Sequence, residues 1–374
     1  MRERVEREIE KLKELNLYRD LKDIESPPGK KLRIGKVELL NFSSNDYLGL
    51  AKEYDCECLR KWGAGSGASR LICGNFKVHR DLEKELAKIK RCQDSLLFST
   101  GYMANLGVIS TLAEEKDLIL SDELNHASII DGCRLSKAEK VIYPHKDYSF
   151  VKEFLKKNRH KYRDCFIITD SVFSMDGDIA PLDELFKVKD EFGCVLIVDD
   201  AHATGVIGYS SLELFSLEPD ENTVIVGTLG KALGTFGAFV SGSSQLREYL
   251  INRCRTFIYT TALPPFIACQ TLKNLEKVKG RMEELKEKIS FFREFTKIES
   301  ESAIFPLIVE DEATALRLSN YLFERGFFVP AIRPPTVKKS RLRITITWEH
   351  TKEELKQLWS AIDGFMKGGR APEI

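Results

Sequence analysis

FIITDSVFSMDGD (166–178), VLIVDDAHATG (195–205) and VIVGTLGKALG (224–234) share one design. Each opens on a short apolar run and closes on small, polar or reactive residues. Short apolar runs without alternation read as strands buried on both faces. The helical segment Leu182–Glu191 lies between the first two stretches. Working outward, further strand-length runs are Ser95–Phe98, Asp117–Leu120 and Ala238–Ser241. Helical segments are Val78–Lys90, Ala104–Leu112 and Phe150–Asn158. This alternation predicts parallel strands joined by crossover helices, stacked as a three-layer α/β/α domain.

Beyond Pro264-Pro265 the texture changes. A long charged helix is expected over Ile267–Phe295, then strands near Ala303–Val309, Phe327–Ala331 and Arg341–Thr347. RLRITIT alternates in period two, as a half-buried strand should. Thr351 and Glu354 have the spacing of a capping box for a last helix. The division expected is an N-terminal segment, 1–40, packing with a small α+β domain at 266–374, and a large domain at 41–265. Val5, Ile9, Leu12 and Leu15 recur at helical spacing among charges near the start. That is an amphipathic helix, not a signal peptide.

The 374 residues are 43% hydrophobic and 30% charged, which suits a soluble globular protein with ample core. Lys+Arg and Asp+Glu both number 57, so the formal net charge is zero. A surplus of cations for nucleic-acid phosphates is therefore missing. No apolar run reaches the ~18 residues of a membrane span. The nine Cys include no C-x-x-C pair, so zinc-ribbon spacing is absent. They read as free thiols in a reducing cytoplasm.

In parallel α/β sheets, ligands gather at the carboxyl ends of strands. Lys231 follows such an end, flanked by Gly227, Gly230 and Gly234. Lysine is the side chain that condenses with an aldehyde, and small neighbours admit a planar ligand. Taken alone, it reads as a surface lysine. A phosphate-binding G-x-x-x-x-G-K-[ST] loop is excluded, because Ile225 and Ala232 occupy two of its fixed positions. Asp199 follows four apolar residues, and a carboxylate there needs a partner, such as a protonated ring nitrogen. His202 could hydrogen-bond the phenolic oxygen of that ring. An N-cap Asp with a structural His is the alternative. Ser99-Thr100-Gly101-Tyr102 precedes a helix, where backbone N–H groups bind phosphate. Thr228 could add a hydroxyl. Gly63–Ala68 matches a dinucleotide pattern but follows LRKW rather than an apolar strand. His126 could stack on an aromatic cofactor. No dedicated metal-ligand set is present. Aldehyde-reactive Lys, ring-pairing Asp, phosphate cradle and stacking His together point to pyridoxal phosphate (PLP).

Nearly the whole chain resembles the α-oxoamine synthases, fold-type I enzymes dependent on PLP. The resemblance runs through NFSSNDYLGL (41–50), GAGSGASRLICG (63–74), STGYMAN (99–105) and NHAS (125–128). It continues through SVFSMDGDIAPL (171–182), VDDAHATGVIG (198–208), GTLGKALG (227–234), AIRPPTV (331–337) and RLRITIT (341–347). It implies that Lys231 binds the cofactor aldehyde, Asp199 pairs with the ring nitrogen and His202 with the ring oxygen. His126 would stack on one ring face and Ala201 on the other. Gly101, Tyr102, Ser174 and Thr228 would complete the cofactor site. Thr260 or Thr261 would reach the phosphate of the neighbouring subunit in a homodimer with shared sites. Asn45 would lie near the bound amino acid, Arg343 would hold its carboxylate, and Arg19 and Thr336 would contact substrate. Ala68 stands where relatives often carry Gly. The implied reaction is a decarboxylative condensation of an amino acid with an acyl thioester. AIRPPTV favours L-alanine with a pimeloyl thioester, carried by CoA or an acyl-carrier protein, on the way to biotin. Glycine with acetyl-CoA is the alternative pair.

Overall fold

The computed structural model describes residues 1–368; the remainder of the segment assigned to the small domain, 369–374, lies outside it. The chain forms two compact units. One holds Glu53–Ser174 and Asp178–Glu283; the other holds Met1–Lys52, Met175–Gly177 and the residues from Glu284 onward.

The larger unit is built on a seven-stranded sheet. Its spatial order is Asp94–Phe98, Ala238–Gly242, Thr223–Thr228, Val195–Asp199, Cys165–Asp170, Leu118–Asp122 and Glu139–Tyr143. Successive side chains alternate between two cores, as a period of two demands. Phe166 and Ile168 join the cluster under Val108, Ile129 and Phe257. Ile167 joins the opposite cluster with Val151, Leu155 and Leu185. Helices therefore cover both faces, and the three-layer expectation holds. The expectation of parallel strands throughout needs correction. Ala238–Gly242 runs antiparallel to both of its neighbours, Asp94–Phe98 and Thr223–Thr228. Only residues 229–237 separate it from the preceding strand. That connection is too short for a crossover helix, so the chain turns back.

The smaller unit carries two three-stranded sheets. One joins Lys31–Ile34, Val37–Asn41 and Phe327–Phe328; the other joins Ile304–Ile308, Arg341–Thr345 and Ala331–Ile332. The single strand expected near Phe327–Ala331 is thus two short ones in different sheets. Pro330 sits between them and has no N–H for a ladder. RLRITIT is not half-buried. Every residue from Arg341 to Thr345 is buried, the polar face as much as the apolar one. The Thr351–Glu354 capping box is formed on the last helix, Lys352–Met366. The helix Arg2–Glu14 forms but buries none of its residues within the chain.

The cysteine reading also changes. Cys58 and Cys269 form a disulfide, and seven cysteines remain free. The pair joins residues 211 apart, on the helices Cys56–Trp62 and Pro265–Thr296. Among the described residues, no helix is long and apolar enough to cross a membrane.

Candidate active site

Sheet register brings the reactive strand ends together. Asp170 lies opposite Asp199, and Asp199 opposite Val226, on adjacent parallel strands. The turn after Thr228 carries Lys231. Its Nζ lies 2.9 Å from His202 Nε2. The glycines around the lysine serve different ends. A Cβ on Gly227 would meet the Phe239 ring at 2.3 Å, so this glycine makes room for the neighbouring strand rather than for a ligand. Gly234 closes the turn at φ +66°, a conformation that L side chains rarely adopt. A Cβ on Gly230 would make only ordinary contacts, 3.6 Å from the Thr235 carbonyl oxygen and 3.7 Å from Thr228 Oγ1.

The two adjacent aspartates divide their tasks. Asp200 is fully buried and takes Lys90 Nζ at 2.7 Å, with Ser211 also donating to it. Burial alone would raise its carboxyl; the Lys90 ammonium outweighs that and holds it below the ordinary range. Asp199 is likewise buried, at 6% exposure. Its Oδ1 accepts from the Ala201 N–H at 2.8 Å and its Oδ2 from Asn105 Nδ2 at 2.6 Å.

Asp170 is buried beside it and accepts from the His126 N–H at 2.6 Å. Burial, and next the charge of Asp199, push its carboxyl well above the ordinary aspartate range. His126 caps the helix Ala127–Leu135 through its ring, accepting from the Ser128 N–H. Burial is the main force pulling its imidazole down, with Lys231 adding to it and Asp199 opposing.

Thr100 caps the helix Gly101–Leu112, its hydroxyl accepting from the Met103 N–H at 3.1 Å. The space beside Gly101 holds nothing within 4 Å. Thr228 Oγ1 donates to the Gly237 carbonyl and accepts from the Gly230 N–H. Tyr102 is turned elsewhere, its hydroxyl on Asp131. Ser174 ends the strand-to-loop passage, and Thr261 is exposed near Ser99, which donates to its carbonyl.

Arg19, Asn45, Thr336 and Arg343 belong to the smaller unit and form two groups. Arg343 is buried, and its Nη2 donates to Asn45 Oδ1 at 3.0 Å. Arg341, on the same strand face, is instead held by Asp176. Arg19 Nη2 donates to Thr336 Oγ1 at 2.8 Å. Arg333 stands near Arg19. Burial, then the charge of Arg19, lowers its guanidinium, and it donates to the carbonyls of Asn16 and Tyr18. Two such cations side by side favour an anion.

A family model described as "Aminotransferase class I and II" matches residues 37–362. The chain belongs to the class I and II aminotransferase family. Within this family it is similar to "8-amino-7-oxononanoate synthase" of Methylococcus capsulatus, 45% identical over 95% of this chain and 96% of that protein. It is similar in structure to serine palmitoyltransferase from S. paucimobilis, solved with a bound PLP–myriocin aldimine, at TM-score 0.89 and 28% identity, with 97% of each chain covered. The 8-amino-7-oxononanoate synthase structure from Francisella tularensis matches at TM-score 0.76 and 32% identity, covering 88% of this chain and 98% of that one. The fold is the fold-type I architecture, the branch is that of the α-oxoamine synthases, and the protein is an enzyme of the acyltransferase type. Sequence reasoning overlooked Asn105, Ser128 and Lys90. Asn105 and Ser128 lie inside quoted motifs, yet nothing in their spacing marks them; their importance comes from what packs against them.

Proposed function

We propose that the enzyme condenses L-alanine with a pimeloyl thioester, giving 8-amino-7-oxononanoate, CO2 and a free thiol, with PLP as cofactor. The observation that carries this reading is Asp199, a buried carboxylate that accepts from the Asn105 amide and the Ala201 N–H on the strand next to the one that leads to Lys231. Burying a carboxylate is costly, and a protonated ring nitrogen is a partner that fits it. The names of the relatives, among them that from M. capsulatus, support the same reaction.

The residues present fit the cofactor. Lys231 offers the amine, Asp199 and His202 the ring contacts, and His126 and Ala201 the ring faces. The N–H groups of Gly101 and Tyr102, with Ser174 and Thr228, suit the phosphate. PLP, when bound, supplies the electron sink for charge developing at the amino-acid Cα. Lys231 Nζ takes the Cα proton and later returns it. His202, 2.9 Å away, holds the amine in place for both transfers. Arg343, fixed by Asn45, suits the alanine carboxylate. Arg19, with Thr336 and the adjacent Arg333, suits the distal carboxylate of the acyl chain. We assign Thr261 to the phosphate of a second subunit in a homodimer, and the enzyme to the cytoplasm.

The test is product analysis with purified protein. Alanine and pimeloyl-CoA should yield 8-amino-7-oxononanoate with release of CoA, and Lys231→Ala should yield none. Consumption of glycine with acetyl-CoA, and not alanine, would assign the enzyme to glycine C-acetyl transfer instead.

A further inference from the structure

A chain of polar groups links Asp199 to His126 through two buried side chains, Asn105 and Ser128. Asn105 Nδ2 lies 2.6 Å from Asp199 Oδ2 and 2.9 Å from Ser128 Oγ. Ser128 Oγ lies 2.8 Å from His126 Nδ1. Asn105 and Ser128 are each 1% exposed, so water cannot substitute for either bond. The direction of donation follows from chemistry. Both oxygens of Asp199 accept, one from a backbone N–H, and a carboxylate has no proton to give. The Asn105 amide must therefore turn its NH2 group toward Asp199. Its second hydrogen then faces Ser128 Oγ, which accepts it. The hydroxyl proton of Ser128 is left to point at His126 Nδ1, where the Ser128 N–H also donates. Nδ1 is thus an acceptor, and the ring proton sits on Nε2. One consequence is visible. Asn105 Oδ1 is buried without any hydrogen-bond partner. The amide gives up that bond in order to present both N–H groups, and the opposite orientation would set its oxygen against the carboxylate.

We propose that Asn105 is a positioning residue that couples the two cofactor-facing groups, holding the Asp199 carboxylate and, through Ser128, fixing His126 as the Nε2–H tautomer. The His126 Nε2–H is then left as a donor held in one ring orientation. This rests on the reading that Asp199 and His126 face PLP.

Two readouts separate the inference from that reading. The first needs no cofactor. In the full chain labelled with nitrogen-15 on histidine, the His126 ring should show a hydrogen-bonded Nδ1 and a protonated Nε2. Ser128→Ala and Asn105→Asp should each displace the Nδ1 resonance. The second is the PLP dissociation constant, followed by the visible absorption of bound cofactor. Asn105→Ala removes a charge-assisted bond and should weaken binding roughly ten- to a hundredfold. Ser128→Ala, the gentler change, should weaken it several-fold while leaving the far-ultraviolet circular dichroism as in the parent. An unmoved Nδ1 resonance in folded Ser128→Ala and Asn105→Asp would overturn the coupling. So would parental PLP affinity in folded Asn105→Ala. Failure of the parent protein to bind PLP would sink the cofactor reading alone, and the resonance measurement would still decide the relay.

Discussion

Asp199 and Asp200 are adjacent in the chain and differ in their partners. The packing of a single lysine separates them. Lys90 and Asp200 are both fully buried and bonded to each other, so either one left alone is an uncompensated charge. Lys90→Met should lower unfolding stability by about 3–5 kcal/mol in a urea titration. Asp199→Asn should behave otherwise. The new amide keeps an oxygen for Asn105, so stability without cofactor should move by about 1 kcal/mol. Its loss should appear instead in PLP affinity and turnover, by roughly ten- to a hundredfold, the worth of one charge-assisted hydrogen bond. At this scale the sequence was partly legible. VLIVDD identified a carboxylate at the rim of a buried strand. That Asp200 is held by Lys90, 110 residues earlier at the end of the helix Lys77–Ile89, is something no local pattern carries.

The loop after Cys165–Asp170 belongs to the scale of elements. Met175–Gly177 groups with the smaller unit, where Ser302 donates to the Gly177 carbonyl. Gly177 sits at φ +73°, and a Cβ there would lie 2.1 Å from the Ile304 carbonyl oxygen. Gly177→Ala should cost at least about 1–3 kcal/mol of strain, read as a lowered melting temperature. On the far side of the loop, Asp178 is held by His145, which also bonds Asp122. Burial alone would pull the His145 imidazole down; the two carboxylates outweigh it and raise it to about 9 from an ordinary 6.5. A group raised in the folded state stabilises fully below its unfolded value and ceases to do so as pH climbs through the folded one. Stability should therefore fall between about pH 6.5 and about pH 9. His145→Gln should flatten that slope in thermal melts and be the less stable protein at the acid end. SVFSMDGD stood out only through its resemblance to the family. His145 gave no local sign of its role, since its partners, Asp122 at a strand end and Asp178 in a loop, lie far from it in sequence.

At the scale of the molecule, balanced charge and cysteine content behave as sums that conceal placement. The zero net charge hides Arg19 beside Arg333 and a buried Arg343. The alternation of strands and helices revealed three layers, because period two and helical crossovers are local properties. It did not reveal the antiparallel strand, whose direction is set by the short span before it. Nor could spacing reveal a disulfide between Cys58 and Cys269, because pairing depends on which helices the fold lays side by side. That bond closes a loop of 211 residues within the larger unit. A cross-link over so long a span mainly restricts the unfolded chain, and a typical contribution is about 2–4 kcal/mol. Two measurements follow. Thiol titration of the denatured, unreduced protein should count seven free cysteines, rising to nine after reduction. Cys58→Ser should lose about 2–4 kcal/mol in denaturant, and adding a dithiol reductant should bring the parent down to the same midpoint while leaving the variant unmoved. A count of nine before reduction would show the two thiols to be neighbours without a bond, and the stability difference should then vanish with it.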